Sequence, residues 1–157
     1  MITVWRICPA GRVRTAFSGE GAFLYGGRWN SPGVRLVYTS ATQSLAALEM
    51  LVHLDDPNDL AALKFVVIPV EVPEACIGEA SRLPRSWWTY PAPSAAARIG
   101  DAWIASGDTP VLRVPSAVVR DEWNYLLNPA HPSFSKLKIG KAKRFAFDSR
   151  LSRLSTK

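Results

Sequence analysis

Leu63 to Val72, LKFVVIPVEV, carries the strongest strand signal in the chain. Its apolar residues run almost without a break, as in strands covered on both faces, so the segment predicts a central position in a sheet. Before it, Asp55 to Asp59 forms a polar turn around Pro57, and Val34 to Thr39 is β-branched and aromatic enough for another strand. Ser40, with Gln43 three residues on, has the form of a capping box opening a helix that reaches about His53. On this helix Ala41, Leu45, Leu48 and Val52 make the expected buried stripe, Leu51 lies at its other edge, and Glu49 borders it.

Thr3 to Ile7 alternates in the manner of a strand, and Ala10 to Gly21 reads as a small, polar loop. Downstream, Pro73 to Pro93 is irregular and proline-punctuated. Ser94 caps a second helix, Ala95 to about Ala105, which Gly107 terminates. Pro110 to Val114 is a short strand ending at Pro115 and Ser116. Asn124 to Leu127 leads into Asn128 to Pro132, a run too rich in breakers for a regular element. Ser135 to Phe147 alternates well enough for a final strand or a hairpin around Gly140. These elements predict one compact α+β domain over residues 1–157, with several strands, two clear helices and loops long enough to carry function.

Composition narrows the class. A chain of 157 residues, 48% hydrophobic, buries one sizeable core. No run resembles a signal peptide or approaches the roughly 20 apolar residues of a membrane helix. Two cysteines and two histidines are too few for a typical zinc site or a disulfide scaffold, so no metal is expected and a reducing cytoplasm fits best. The net charge of +6 is concentrated in Lys136, Lys138, Lys141, Lys143, Arg144, Arg150, Arg153 and Lys157, leaving the rest of the chain about neutral. With few interleaved aromatics, this tail over about 136–157 reads as a solvated edge strand and terminus, with a nucleic-acid surface or an acidic partner protein as the alternatives.

The chemistry-bearing residues gather between Tyr25 and Glu49. Paired glycines precede Arg28 and Trp29, the strand at Val34 to Thr39 carries Tyr38, and the next helix carries Glu49. Arg28 suits bidentate contact with phosphate oxygens, or the capping of a carbonyl. Tyr38 either opens onto a cleft or is core with its hydroxyl satisfied. A carboxylate against leucines costs free energy unless paired or used, so Glu49 is either an ion-pair partner of Arg6 or Arg28 or a catalytic group. Ser116, Asn124, Asn128 and His131 each suit ligand contact or a structural turn. Trp29, Trp87, Trp88, Trp103 and Trp123 suit packing, with Trp29 nearest a site. Gly19-Glu20-Gly21 fails as a dinucleotide fingerprint because Leu24 stands at the third glycine position.

Taken in order and spacing, GEGAFLYGGRWNSPGVRLVYTS, SLAALEMLVHL, VLRVPSAVVRDEWNYLLNPAHPSF and FAFDSRL resemble the RES domain family across nearly the whole chain. Its eponymous arginine, glutamate and serine correspond to Arg28, Glu49 and Ser116. The resemblance implies an ADP-ribosyltransferase-like fold with a mixed, split or strongly curved sheet flanked by helices. It implies the toxin of a bacterial type II toxin–antitoxin pair, with NAD⁺ as substrate and no cofactor. The nicotinamide–ribose bond would be cleaved with water or phosphate as acceptor, or ADP-ribose transferred to a macromolecule. In this reading Glu49 steadies the oxocarbenium-like centre, Arg28 holds a phosphate or ribose oxygen, Tyr38 stacks on nicotinamide and Ser116 orients the ribose or amide. Arg6, Trp29, Asn30, Asn124 and Asn128 are the further substrate-binding candidates. The implied partner is a cognate Xre-family antitoxin that covers the cleft in a hetero-oligomer, with no direct DNA or membrane binding by this chain. A basic nucleic-acid-binding module is the reading from a different class.

Overall fold

A computed structural model describes residues 1–56 and 58–155, excluding the side chains of 153–155. Pro57, the centre of the expected polar turn, lies outside the described residues, as do Thr156 and Lys157. The elements run β1 (Ile2–Pro9), a 3₁₀ segment (Ala10–Thr15), α1 (Glu20–Tyr25), β2 (Val37–Ser40), α2 (Gln43–Val52), α3 (Asp59–Ala62) and β3 (Phe65–Val72). After a second 3₁₀ segment (Glu74–Cys76) come β4 (Ile77–Glu79), α4 (Ser94–Ser106), β5 (Val111–Pro115) and β6 (Trp123–Leu127). A third 3₁₀ segment (Pro132–Lys136), β7 (Lys138–Ile139), β8 (Lys143–Phe145) and a last 3₁₀ segment (Ser149–Ser155) complete the described chain.

The strands form one mixed sheet in the order β4-β5-β6-β2-β1-β3-β7, with β8 also on β3, and only β4 and β5 run parallel. The continuous apolar strand, β3, is paired on both sides: with β1 from Ile2↔Val72 to Pro9↔Phe65, and with β7 and β8 along its other edge. It therefore lies next to the sheet edge rather than at its middle. The two last strands do not form a hairpin. They follow one another along β3, and the break falls at Gly140, whose N–H donates to the Pro69 carbonyl at 2.8 Å.

Where β1 meets β2, the sheet nearly parts. One residue pair, Trp5↔Ser40, joins them, whereas β2 pairs with β6 at four positions. On one face Val4, Val37, Val70, Val111, Tyr125 and Leu127, drawn from five strands, share a cluster to which no residue of α1–α4 belongs. Strands lie about 4.8 Å apart, so a flat sheet would hold the outer members far from one another. Their near-complete burial requires the sheet to curl upon itself. The opposite face is covered in two halves. α4 supplies Ala96 and Trp103 to a cluster with Trp29, Leu36, Leu112, Val114 and Leu126, while α2 supplies Ala46 to one with Ile7, Phe65 and Val67.

Several local expectations are revised. Thr42, not Ser40, caps α2, its Oγ1 accepting the Leu45 N–H at 3.0 Å, because Ser40 is the last residue of β2 and gives its hydroxyl to Asn124. The buried side of α2 runs through Leu45 and Ala46, leaving Leu48 at 41% and Val52 at 59% exposure. The helix is rotated so that Ala46 meets β1 and β3 while Glu49 faces the join between the half-sheets. Ser94 is the first residue of α4 rather than its cap, and Gly107 ends that helix at a φ of 62°, as its position predicts. The expected loop before Gly21 contains a 3₁₀ segment and the start of α1.

Gly100 shows how tightly α4 is seated, since a Cβ there would overlap the Trp29 carbonyl oxygen. Gly100→Ala is expected to destabilise the fold by about 3 kcal/mol, lowering Tm by roughly 6–12 °C. Gly11→Ala, with nothing within 4 Å of the new Cβ, should leave Tm almost unchanged in the same thermal melt.

Candidate active site

α2 packs on β1 and β3 through Ala46, and Glu49 reaches from it to the β5–β6 side of the join. There Glu49 Oε1 accepts the Ser116 hydroxyl at 2.7 Å and the Asn124 Nδ2 at 2.6 Å. Both donors are fixed from behind. Asn124 Oδ1 accepts from Ser40 Oγ at 2.7 Å, and Ser116 Oγ also accepts the N–H groups of Val118 and Val119, each at 3.1 Å. Ser116 is thus a turn-forming serine and a carboxylate-positioning one at once. Glu49 is 22% exposed, and its second oxygen has His53 Nε2 at 4.0 Å. Among the described residues, no ion pair joins Glu49 to Arg6 or Arg28.

The Tyr25-to-Asn30 segment is shaped from below. Gly26 has a φ of 70° and the peptides of Gly27 and Asn30 pair across the turn. Asn30, 1% exposed, donates from Nδ2 to the carbonyls of Ala22, Ser31 and Val34 and accepts the Tyr38 hydroxyl at 2.7 Å. That hydroxyl in turn accepts the Trp29 N–H at 3.1 Å. The Tyr38 side chain therefore holds the turn that presents Arg28. Burial pushes its phenol well above the ordinary tyrosine value, against the opposing pull of the Trp29 N–H.

Arg28 donates from Nη1 to the carbonyls of Trp87 and Thr89, at 2.7 and 2.8 Å. Among the described residues its Nε and Nη2 make no hydrogen bond. Partial burial lowers its pKa, while the charge of Glu49 and the nearby Tyr38 act the other way. Arg6 projects from the face of β1 that carries Val4, and its Nη1 reaches across the parted strands to the Tyr38 carbonyl at 2.9 Å. Its Nε is buried without a hydrogen-bond partner, and desolvation lowers its pKa with no carboxylate opposing. A buried cation in that state favours an anion.

The candidates thus divide by surroundings. Glu49, Ser116 and Asn124 are in mutual contact, Tyr38 and Arg28 are coupled to them through the turn and through charge, and Arg6 touches Tyr38 from the split. Trp29 is 2% exposed and stacked on Trp87, with ring centroids 6.1 Å apart. Asn30 spends its Nδ2 on backbone carbonyls and its Oδ1 on the Tyr38 hydroxyl. Asn128 lies just past the end of β6, four residues and about 13 Å at strand rise from Asn124, and accepts the Ala130 N–H in a turn. His131 likewise accepts the Ser133 N–H. Three residues that the sequence did not assign to the site bear on it. Ser40 anchors Asn124. Asp101 on α4 holds Ser31 through both its N–H and hydroxyl, at 2.8 and 2.6 Å. His53 is one helical turn beyond Glu49, a spacing that the sequence displays. Grooves of about 470 Å³ between α3 and β8 and about 390 Å³ beside β7 have none of these residues in their lining.

A carboxylate anchored through one oxygen, within electrostatic reach of a guanidinium with free donors, suits a ligand that carries anionic groups and develops positive charge. Similarity to known proteins agrees with a shared architecture. The RES domain model matches residues 3–148, and the chain belongs to the RES domain family. It is 36% identical over 156 residues to the "Prs ADP-ribosylating toxin" of Sphingobium sp. strain YBL2, covering 95% of this chain and 96% of that protein. It is 40% identical over 153 residues to "Toxin Res" of Photorhabdus laumondii, at 94% and 96% coverage, and 37% identical over 149 residues to "Toxin Res" of Yersinia enterocolitica, at 94% and 98%. A chain in the crystal structure of the M. tuberculosis MbcT–MbcA toxin–antitoxin complex shares the fold with a TM-score of 0.77 at 15% identity, over 98% of this chain and 87% of that one.

Tyr38→Phe leaves the Trp29 N–H and Asn30 Oδ1 without their partner, which is expected to cost about 1–3 kcal/mol in denaturant unfolding. Because folding raises the Tyr38 pKa, its contribution is complete below the unfolded value near 10 and is lost as pH rises above it. The wild-type protein should therefore lose stability above about pH 10 more steeply than Tyr38→Phe.

Proposed function

We propose that this protein is the toxin of a bacterial type II toxin–antitoxin pair and that it depletes NAD⁺ by breaking the nicotinamide–ribose bond. The observation that carries this reading is Glu49, with one oxygen fixed by Ser116 and Asn124 and its charge acting on Arg28 without an ion pair between them. Membership of a family whose relatives are named as toxins supports it, as does the fold shared with a chain of a toxin–antitoxin complex.

The chemistry suits these groups. When the bond from ribose C1′ to the nicotinamide nitrogen breaks, both electrons go to the ring, and nicotinamide leaves as a neutral molecule needing no proton. Positive charge develops on C1′ and the ring oxygen, and the Glu49 carboxylate opposes it in a partly dry setting. Water or phosphate oxygen then bonds to C1′, and a water acceptor releases its proton to solvent. The free Arg28 donors would take a phosphate or ribose oxygen, and Arg6, with its unpartnered Nε, would add positive potential from the split. Ser116 and Asn124 would act on the reaction through Glu49. The cellular partner in this reading is a cognate Xre-family antitoxin, and the setting is the bacterial cytoplasm.

A second reading has the same bond broken with transfer of ADP-ribose to a macromolecule, and the Sphingobium relative's name favours it. NAD⁺ carrying label in its adenylate half separates the two. Hydrolysis or phosphorolysis leaves label on small products, whereas transfer leaves it on protein or nucleic acid.

The primary test is the NAD⁺ level of cells after induction of wild type or Glu49→Gln. Glutamine can keep accepting from Ser116 and Asn124 while losing the charge, so the fold should persist and NAD⁺ consumption should fall about 10²–10³-fold. NAD⁺ that stays level while wild type arrests growth rejects the proposal. Arg28→Ala should also slow consumption, and because Nη1 ties down the 87–89 backbone, it should lower Tm as well.

A further inference from the structure

We propose that Trp88 and Arg120 form a strap across the mouth of the Glu49–Arg28 site and that it selects small acceptors over bulky ones. The inference rests on the NAD⁺ reading above and concerns what attacks the ribose.

Two loops border the site, and each is pinned to one of its charged residues. The first contains Trp88 between Trp87 and Thr89, the two residues whose carbonyls Arg28 holds. It is stiffened by turn bonds from Trp87 N to Pro84 O and from Thr89 N to Ser86 O, both 3.1 Å, and by the stacking of Trp87 on Trp29. The second begins at Ser116, which binds Glu49 and draws in the N–H groups of Val118 and Val119. Bonds from Ser116 N to Glu122 O at 2.9 Å and from Glu122 N to Val119 O at 3.0 Å close it, with Arg120 at its tip.

The loops meet where the Arg120 guanidinium lies over the Trp88 ring, 4.8 Å from its centroid. The contact closes a ring of connections running from Glu49 through Ser116, the loop and Arg120 to Trp88, Arg28 and, by charge, back to Glu49. Trp88, 38% exposed, is not core, and it meets Trp87 edge-on with ring centroids 5.9 Å apart. An exposed cation–π contact shifts an open–closed balance by only about two- to fivefold, so the strap can part to admit a dinucleotide and close again afterwards. Closed, it passes water or a small nucleophile, whereas a bulky acceptor approaching C1′ has to hold it open.

Acceptor competition tests this. Purified protein is given NAD⁺ with methanol or benzyl alcohol. In each case the alcohol oxygen bonds to C1′, nicotinamide departs with the electron pair and the hydroxyl proton goes to solvent. Mass spectrometry counts ADP-ribose against the two alkyl ADP-ribosides. Arg120→Ala should raise the benzyl-to-methyl product ratio about two- to fivefold with nicotinamide release little changed, and Arg120→Lys should stay near wild type. Trp88→Ala should match Arg120→Ala, and Arg120 is exposed enough that its variants are expected to fold. Amide exchange at Thr89, Val118 and Val119 supplies a readout independent of NAD⁺ and should quicken by a similar factor in Arg120→Ala. Unchanged exchange overturns the strap. Faster exchange with an unchanged product ratio overturns its role in acceptor choice. A wild type that releases no nicotinamide rejects the NAD⁺ reading instead, and the acceptor role falls with it.

Discussion

The near-parting of β1 from β2 is the constraint on which the rest of the molecule depends. A sheet that keeps eight residue pairs between β1 and β3 but one between β1 and β2 leaves backbone groups that a ladder would have satisfied. One side chain takes over part of that work, Arg6 reaching the Tyr38 carbonyl across the gap at 2.9 Å. Ser40, at the last shared rung, ties Asn124, and Asn124 ties Glu49. This polar chain runs beside the opening, where α2 brings a carboxylate against strand side chains.

Electrostatics then separates this site from an ordinary internal ion pair. Glu49 is fixed by two neutral donors and Arg28 by two neutral carbonyls, so neither charge is spent on the other. A direct pair would cancel most of the field that a ligand meets and would place the desolvation cost on the protein alone. Neutral anchors fix position while preserving charge, the arrangement that acts best on charge appearing during a reaction. The single-bonded Arg6, with its buried and unpartnered Nε, extends the same logic to the back of the split.

Elements with a local cause were legible in the sequence. β3 carries its own apolar run, Gly107 stops α4 through a left-handed conformation, and the helix at residues 43–52 announces itself by composition. Elements made by distant partners were not. β4 has three residues, Ile77–Glu79, and is a strand because β5 lies parallel to it. Ser40 has the sequence of a cap but is claimed by Asn124, 84 positions away. For the same reason the stripe on α2 is rotated toward Ala46. At the site, spacing pointed to Arg28, Tyr38 and Glu49, while the Ser116–Glu49 contact spans 67 positions and only family resemblance linked the two. Asn30 shows the limit from the other side, because four hydrogen bonds, to α1, the following turn and β2, cannot be read from one polar letter.

The basic tail gains a local meaning from the topology. β7 and β8 cover the outer edge of β3, which would otherwise present unpaired backbone groups beside an apolar strand. Lysines suit such an edge because their charge discourages another strand from adding to it. Lys138 lies 3.9 Å from Glu71 on the neighbouring strand, and Arg150 binds Asp148 through two guanidinium nitrogens. Part of the tail's excess charge is thus balanced within the chain, and its strands pair only with β3, on the far side of β1 from β2 and β6. Lys138, Lys143 and Arg144 thus stand on the two short strands that close the edge of β3.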